Sequence, residues 1–231
     1  MKVVIMAAGK GTRMLPLTKT IPKVLVEVNG KPFLYYVLKS LQKAGYKEFG
    51  LIVGYKKEKI ESFLKEYKFK AKLIDQPQQL GTGHAVLQAR EWVGKDDFIV
   101  CSGDNLYDIN DLKKVKKKDP FHYLLGLEVD EWQKYGVLIA EDGFLKEIQE
   151  KPPKFVGSLI NIALYKLKPE IFPILEKLRP SPRGEIELTD ALNILAKENK
   201  VKVVEGELWV DLGCKDDLLR VGHFLEDNWE E

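Results

Sequence analysis

The side chains best suited to chemistry gather first in residues 7–23, where Ala7, Ala8, Gly9, Lys10, Gly11, Thr12 and Arg13 follow an apolar run and Lys23 closes the segment. Gly9 and Gly11 free the backbone for a tight turn whose amide donors can surround a polyphosphate. Arg13 and Lys23 add positive charge. The spacing is not that of a dinucleotide fingerprint, because Met14 stands where a third glycine is needed and Pro16 interrupts any run into a helix. Nor is it a Walker loop, since no Gly-Lys-Ser or Gly-Lys-Thr ends it. By itself, a glycine-rich turn after a first strand reads equally well as a plain structural turn.

Two aspartates complete the set. Asp104 falls just past an apolar run ending at Cys101, the place where open α/β sheets put their ligands, and Asp211 ends another such run after Trp209 and Val210. Either aspartate alone reads as a turn or helix cap. Together with the glycine turn they make a coherent metal and phosphate site, with hard carboxylate donors beside a polyphosphate cradle.

These residues need a scaffold, and the sequence pattern supplies one. Short β-branched runs at 3–6, 49–53, 72–74 and 98–101 alternate with helix-length segments. Phe33, Tyr36, Val37, Ser40, Leu41 and Ala44 recur at helical spacing, as do Ile60, Phe63, Leu64 and Tyr67. This βαβ rhythm predicts a parallel sheet with helical crossovers. After about residue 120 the pattern becomes mixed, with strands at 123–127, 137–140, 145–148, 159–165, 201–204 and 208–211 and a hairpin turn at Glu141, Asp142 and Gly143. Helices are predicted at 169–177, 188–198 and 215–228. The expectation is one α/β domain spanning 1–231, a Rossmann-like, mixed but mostly parallel sheet flanked by helices.

Composition narrows the partners. The chain has 37 basic and 35 acidic residues for a net charge of +2, a balance that gives no argument for nucleic acid or membrane binding. The basic cluster at 113–118 reads as a solvated helix face, since no aromatic stacking residues interleave with it. No apolar run approaches the ~20 residues of a membrane helix, and the apolar N-terminus leads into Gly9 without a signal-peptide cleavage pattern. Cys101 and Cys214 read as small packing residues with free thiols, which fits a reducing cytoplasm. His84, His122 and His223 have no metal-ligand spacing.

Taken whole, residues 7–23 resemble the signature of the sugar-phosphate nucleotidyltransferases, a family that includes glucose-1-phosphate thymidylyltransferases and N-acetylglucosamine-1-phosphate uridylyltransferases. The resemblance runs nearly to the C-terminus and implies the nucleotide-diphospho-sugar transferase fold, with a nucleotide half at about 1–120 and a sugar half at about 121–231. It implies that Ala7, Ala8, Gly9, Gly11 and Thr12 bind nucleotide, and that Arg13 and Lys23 are catalytic. Residues 76–85 resemble the base-binding loop. There the Gln76 amide offers a donor and an acceptor to the N3 and O4 edge of uracil or thymine, Gly81 lets the backbone approach, and Thr82 follows. Gln79 reads as a polar surface residue. Asp104 and Asp211 would hold Mg2+. Gly136, Glu150, Lys151 and Asn161 would contact the sugar phosphate, and an alanine at Ala163, where many relatives carry glycine, would narrow the sugar pocket.

The implied substrates are a nucleoside triphosphate, UTP or dTTP, and a sugar 1-phosphate of glucose or N-acetylglucosamine type. The sugar phosphate would attack the α-phosphorus in line and release pyrophosphate. Rival readings are a nucleotidyltransferase for a non-sugar phosphate such as phosphocholine, and a catalytically silent regulatory subunit. Residues 184–192 also resemble the family, but Thr189 and Asp190 are explained as a helix start. Ending at Glu231, the chain is expected to leave no room for an appended β-helix acetyltransferase, and no oligomeric state follows from it.

Overall fold

A computed structural model of the chain describes residues 1–229. The first half runs β1 (Lys2–Met6), β2 (Glu27–Val28), β3 (Lys31–Pro32), α1 (Phe33–Lys43), β4 (Phe49–Val53), α2 (Lys57–Glu66) and β5 (Lys72–Asp75). It continues through α3 (Thr82–Gln88), α4 (Arg90–Val93), β6 (Phe98–Ser102), β7 (Asn105–Tyr107) and α5 (Ile109–Lys114). The second half runs β8 (His122–Glu128), β9 (Gly136–Glu141), β10 (Phe144–Glu150), β11 (Leu159–Leu167), α6 (Ile171–Lys177), α7 (Leu188–Ala196), β12 (Val201–Glu205), β13 (Trp209–Asp211) and α8 (Asp217–Asn228).

Among the described residues the main sheet has nine strands in the order β5-β4-β1-β6-β11-β8-β12-β10-β9. The pairings among β5, β4, β1 and β6 are parallel, as the βαβ rhythm requires. The mixed second half comes from β10 and β11, which alone in this sheet run against the other strands. Strand β1 lies in the interior and is buried on both faces. Val3 and Ile5 pack with Leu34, Leu38 and Phe63 on one side, while Val4 packs with Val86, Val100 and Phe172 on the other. Complete burial of each such side chain contributes roughly 1.5–3 kcal/mol, which anchors the strand from which residues 7–23 emerge.

That segment forms three single 3-10 turns (Thr12–Met14, Leu17–Lys19, Lys23–Leu25). Met14, fully buried, pins the first of them to the core. The hairpin predicted at 141–143 is present, with Asp142 at φ 51 and Gly143 at φ 76, the double left-handed geometry of a tight β-turn. The basic cluster is split: α5 stops at Lys114, whose ammonium pairs with Asp111 and Glu207, and Lys116 lies over the Tyr46 ring.

Candidate active site

The carboxyl ends of β1 and β6 open onto a cleft of about 310 Å3 lined by Ala7, Ala8, Gly9, Lys23, Gln76, Gly81, Thr82 and Asp104. Eight residues singled out by the sequence thus meet in one place. Gln79, Ser102 and Glu185 line it as well. Loop ends are tied to the sheet by backbone bonds, Gly103 N to the Met6 carbonyl and Ala7 N to the Ile52 carbonyl, each 2.9 Å.

Lys23 reaches the cleft because Gly11 lets it. Gly11 adopts φ +63, and a Cβ there would lie 2.8 Å from the Lys23 Cβ and 3.0 Å from the Thr18 Cγ2. The Thr18 hydroxyl locks this approach by donating to the Gly11 carbonyl at 2.7 Å. Lys23 Nζ then lies 2.5 Å from Asp104 Oδ2, while the Ser102 hydroxyl donates to Asp104 Oδ1. The lysine and aspartate side chains are 12% and 24% exposed, so the pair is sheltered but open to a ligand. Thr12 and Arg13 sit exposed on the first 3-10 turn, outside the cleft lining.

Gln76, expected to contact the base, is 5% exposed, and its Nε2 donates to the Gly81 carbonyl at 3.2 Å. Gln79 is no idle surface residue, since its amide donates to the Ala8 carbonyl at 2.5 Å across the cleft. Gly81 has φ +107, and a Cβ there would come within 2.5 Å of the Ile186 carbonyl. Ile186 N bonds the Leu80 carbonyl at 2.7 Å, and Gly83 N bonds the Ile186 carbonyl at 2.8 Å. The Thr82 hydroxyl accepts from Leu188 N at 3.0 Å at the start of α7, which leaves its O–H free to donate. Residues 184–192, assigned from sequence to a helix start alone, therefore also supply a wall of the cleft. Their Gly-Glu-Ile-Glu-Leu pattern was the available signal.

The two aspartates are joined by the β7–β13 ribbon. Asp211 pairs in register with Asn105, and Leu212 N bonds the Asp104 carbonyl at 2.8 Å. Asp211 does not line the cleft. Its Oδ1 and carbonyl both accept from Arg220 Nη2 at 2.9 Å, which also reaches Asp217 Oδ1 at 3.0 Å. Burial alone would raise the Asp217 carboxyl, but the Cys214 amide and the Arg220 guanidinium outweigh it and hold the group below the usual carboxylate range. Cys101 is packing, as expected from sequence, and burial pushes its thiol up to about 12.

Gly136, Glu150 and Asn161, expected to contact the sugar phosphate, converge. Gly136 pairs with Glu150, and a Cβ on Gly136 would lie 2.9 Å from Glu150 Oε2 and 3.9 Å from the Asn161 Cβ. Arg183 donates to Glu150 Oε1 at 2.9 Å and also bonds Glu187. Lys151 is exposed, with its amide donating to the Tyr135 carbonyl at 3.0 Å. None of these four predicted sugar contacts lines the cleft. Asn161 spans a bulge: Oδ1 accepts from Ala163 N at 3.0 Å and Nδ2 donates to the Tyr165 hydroxyl at 2.8 Å. Ala163 has φ 57. That is the left-handed backbone glycine adopts at no steric cost, here taken by alanine at the bulge.

A family model described as nucleotidyl transferase matches residues 2–228. The chain belongs to the nucleotidyl transferase family. It is 41% identical over 230 residues to the bifunctional protein GlmU of Methanococcus aeolicus, covering 98% of this chain and 55% of that protein. The chain therefore spans about half the length of the curated GlmU relatives it matches. Among solved structures it is similar to a protein assigned as a glucose-1-phosphate thymidylyltransferase from Bacillus anthracis, with TM-score 0.87, 27% identity and coverage of 100% and 98% of the two chains. A UDP-glucose pyrophosphorylase complexed with UDP-glucose superposes with TM-score 0.85 at 28% identity, covering 98% of each chain. The α/β fold is that of the nucleotide-diphospho-sugar transferases.

Within this family member the donor set suits a hard divalent cation. Asp104 and Asp211 stand at adjacent strand ends, and carboxylate oxygen is the donor type magnesium takes, with Asp104 in the cleft and Asp211 held by Arg220 beside it. Among the described residues no group of three His, Cys, Asp or Glu side chains gathers into an all-protein metal site.

Proposed function

We propose that the chain transfers a nucleotidyl group from UTP or dTTP to a sugar 1-phosphate of the glucose or N-acetylglucosamine type, releasing pyrophosphate. The observation that carries this reading is the Lys23–Asp104 pair, 2.5 Å apart, set beside the glycine turn at one end of a cleft whose other end holds the buried Gln76 amide. Phosphate chemistry and base recognition occupy one cleft of about 310 Å3. A relative of the same fold holds UDP-glucose, which supports a uridine nucleotide.

In this reading the backbone amides of residues 8–12 cradle the triphosphate, and Lys23 neutralises charge at the α-phosphate. Arg13, exposed on its turn, serves the leaving pyrophosphate. Glu150 accepts from sugar hydroxyls, and Lys151 holds the sugar phosphate, with Gly136 and Asn161 shaping that side. The sugar phosphate is itself the nucleophile, so the protein supplies positioning and charge rather than a covalent residue or a base. Asp104 and Asp211 would hold Mg2+, which when bound supplies charge stabilisation to the phosphate oxygens. A cytoplasmic setting accords with the two free cysteines, Cys101 and Cys214. Among the described residues no helix is long and apolar enough to cross a membrane.

The test is a matrix of the common nucleoside triphosphates against glucose, N-acetylglucosamine, galactose and mannose 1-phosphates, with nucleotide-sugar detected by chromatography. Product is expected with UTP or dTTP and with glucose or N-acetylglucosamine 1-phosphate. Product with phosphocholine in place of the sugar, or none in any well, would reject the reading.

A further inference from the structure

We infer that Asp111 is a positioning residue for the cation site: its carboxylate clamps the chain just before β13 and so sets the register that brings Asp211 beside Asp104. The inference rests on the reading of these two aspartates as magnesium ligands. Asp111 itself lies outside the cleft lining and acts through the backbone.

Asp111 stands on α5 and is fully buried, a costly place for a carboxylate unless its oxygens are engaged. Both are. Oδ1 accepts from Lys114 Nζ at 2.8 Å, and Oδ2 accepts from the backbone amides of Glu207 at 2.7 Å and Leu208 at 3.3 Å. Lys114 also donates to Glu207 Oε1 at 2.8 Å. Gly206 lets the chain come this close, since a Cβ there would lie 3.2 Å from Asp111 Oδ2, and its amide bonds the Gly126 carbonyl at 2.7 Å. Two consecutive amides held on one buried oxygen fix this stretch of chain lengthwise.

The residues that follow take their places from that anchor. Asp108 N donates to the Leu208 carbonyl at 3.0 Å, Trp209, Val210 and Asp211 pair with Tyr107, Leu106 and Asn105, and Leu212 N bonds the Asp104 carbonyl at 2.8 Å. The β7–β13 ribbon thus runs from the Asp111 clamp at one end to Asp104 at the other. Two strands of three residues hold a register weakly on their own. A slip of one residue would turn Asp211 to the opposite face. Burial of Val210 and Leu212 opposes a full slip, so losing the clamp loosens Asp211 rather than unfolding the chain.

The experiment compares the full chain with Asp111→Leu, which accepts no hydrogen bond, and Asp111→Asn, whose side-chain oxygen can still take both amides. Mn2+ alone, standing in for Mg2+, is titrated into each chain, and free Mn2+ is read by electron paramagnetic resonance. Hydrogen exchange reports on the backbone of residues 207–212, and thermal unfolding reports on the fold. Asp111→Leu is expected to weaken Mn2+ binding about tenfold, the lower end of what loss of an outer support costs a metal site, while Asp111→Asn stays within about twofold of the parent. Exchange at 207–212 should quicken in Asp111→Leu alone. Should that variant fail to fold, Asp111→Ala, which leaves room for water at the freed amides, makes the same comparison. Parental Mn2+ affinity without the clamp, or an equal loss in Asp111→Asn, would overturn the assignment. An Asp211→Asn chain that binds Mn2+ as the parent does would instead remove Asp211 from the cation site, and exchange at 207–212 would still decide whether the clamp holds.

Discussion

Replacing Gly11 by alanine probes the point at which the backbone of the glycine turn determines where Lys23 stands. At φ +63 an L-residue carries a left-handed cost of roughly 1–2 kcal/mol. The new methyl would also lie 2.8 Å from the Lys23 Cβ and 3.0 Å from the Thr18 Cγ2, an overpacking cost of roughly 1–3 kcal/mol. The loop cannot slide freely, because Thr18 holds the Gly11 carbonyl at 2.7 Å. Relief therefore comes from Lys23 moving off Asp104. The combined cost of roughly 2–5 kcal/mol predicts a melting temperature lower by roughly 4–12 °C. A displacement of about 1 Å at Lys23 predicts a kcat lower by about 100-fold. Gly9→Ala is the control: nothing lies within 4 Å of its Cβ position, yet Gly9 lines the cleft. That variant should unfold within about 2 °C of the parent and raise the KM for nucleoside triphosphate. Differential scanning fluorimetry and a coupled pyrophosphate assay separate the cases. A Gly11→Ala chain with parental kcat, or a Gly9→Ala chain equally destabilised, would refute the reasoning.

Asp104→Asn keeps the shape of the cleft but leaves Lys23 without its charge partner, and should lower kcat roughly 100-fold or more while chelation of Mg2+ abolishes turnover in the parent; parental kcat in the variant would contradict this. His122 is fully buried, and burial, outweighing the Glu170 carboxylate at 3.0 Å, lowers its proton affinity in the fold. The unfolded imidazole, titrating at 6.5, binds the proton first, so stability is present above that pH and is lost as pH falls towards the folded value. Melting temperature should drop between about pH 7.5 and 5.5, and His122→Gln should flatten that slope relative to the parent; an unchanged slope would assign the acid sensitivity elsewhere. Ala163→Gly relieves a left-handed alanine worth roughly 1–2 kcal/mol against roughly 0.5–1 kcal/mol of added chain entropy, so stability should hold or rise slightly. The KM for sugar 1-phosphate should not change if the methyl matters only to the backbone, and a large drop in it would show that the methyl narrows the sugar pocket.

Most of the scaffold was legible because its signals are local. The β-branched runs that became β1, β4, β5 and β6, and the helical spacing of α1 and α2, depend on neighbours a few residues away. The β7–β13 ribbon was half hidden: each strand has three residues, and the pairing of Asp211 with Asn105 bridges distant parts of the chain. The gathering of Gly9, Lys23, Gln76 and Asp104 in one cleft, with Gly11 packed against Lys23, was readable from the sequence motifs. Gln79, Ser102 and Glu185 were not, because a polar residue on a loop or at a strand end looks the same whether it faces solvent or a cleft. The bonds of Arg220 to Asp211 and of Arg183 to Glu150 escaped for a related reason. Long basic side chains find partners according to tertiary position, which no sequence spacing states.

The most direct measurement follows the label in UTP during one turnover with glucose 1-phosphate or N-acetylglucosamine 1-phosphate and Mg2+. Nucleotidyl transfer requires a label in the α-phosphate to appear in the nucleotide-sugar and one in the γ-phosphate to appear in pyrophosphate, in equal amounts and only when sugar phosphate is present. Label from the γ-phosphate on the sugar or in free phosphate, or pyrophosphate formed without an acceptor, would contradict it.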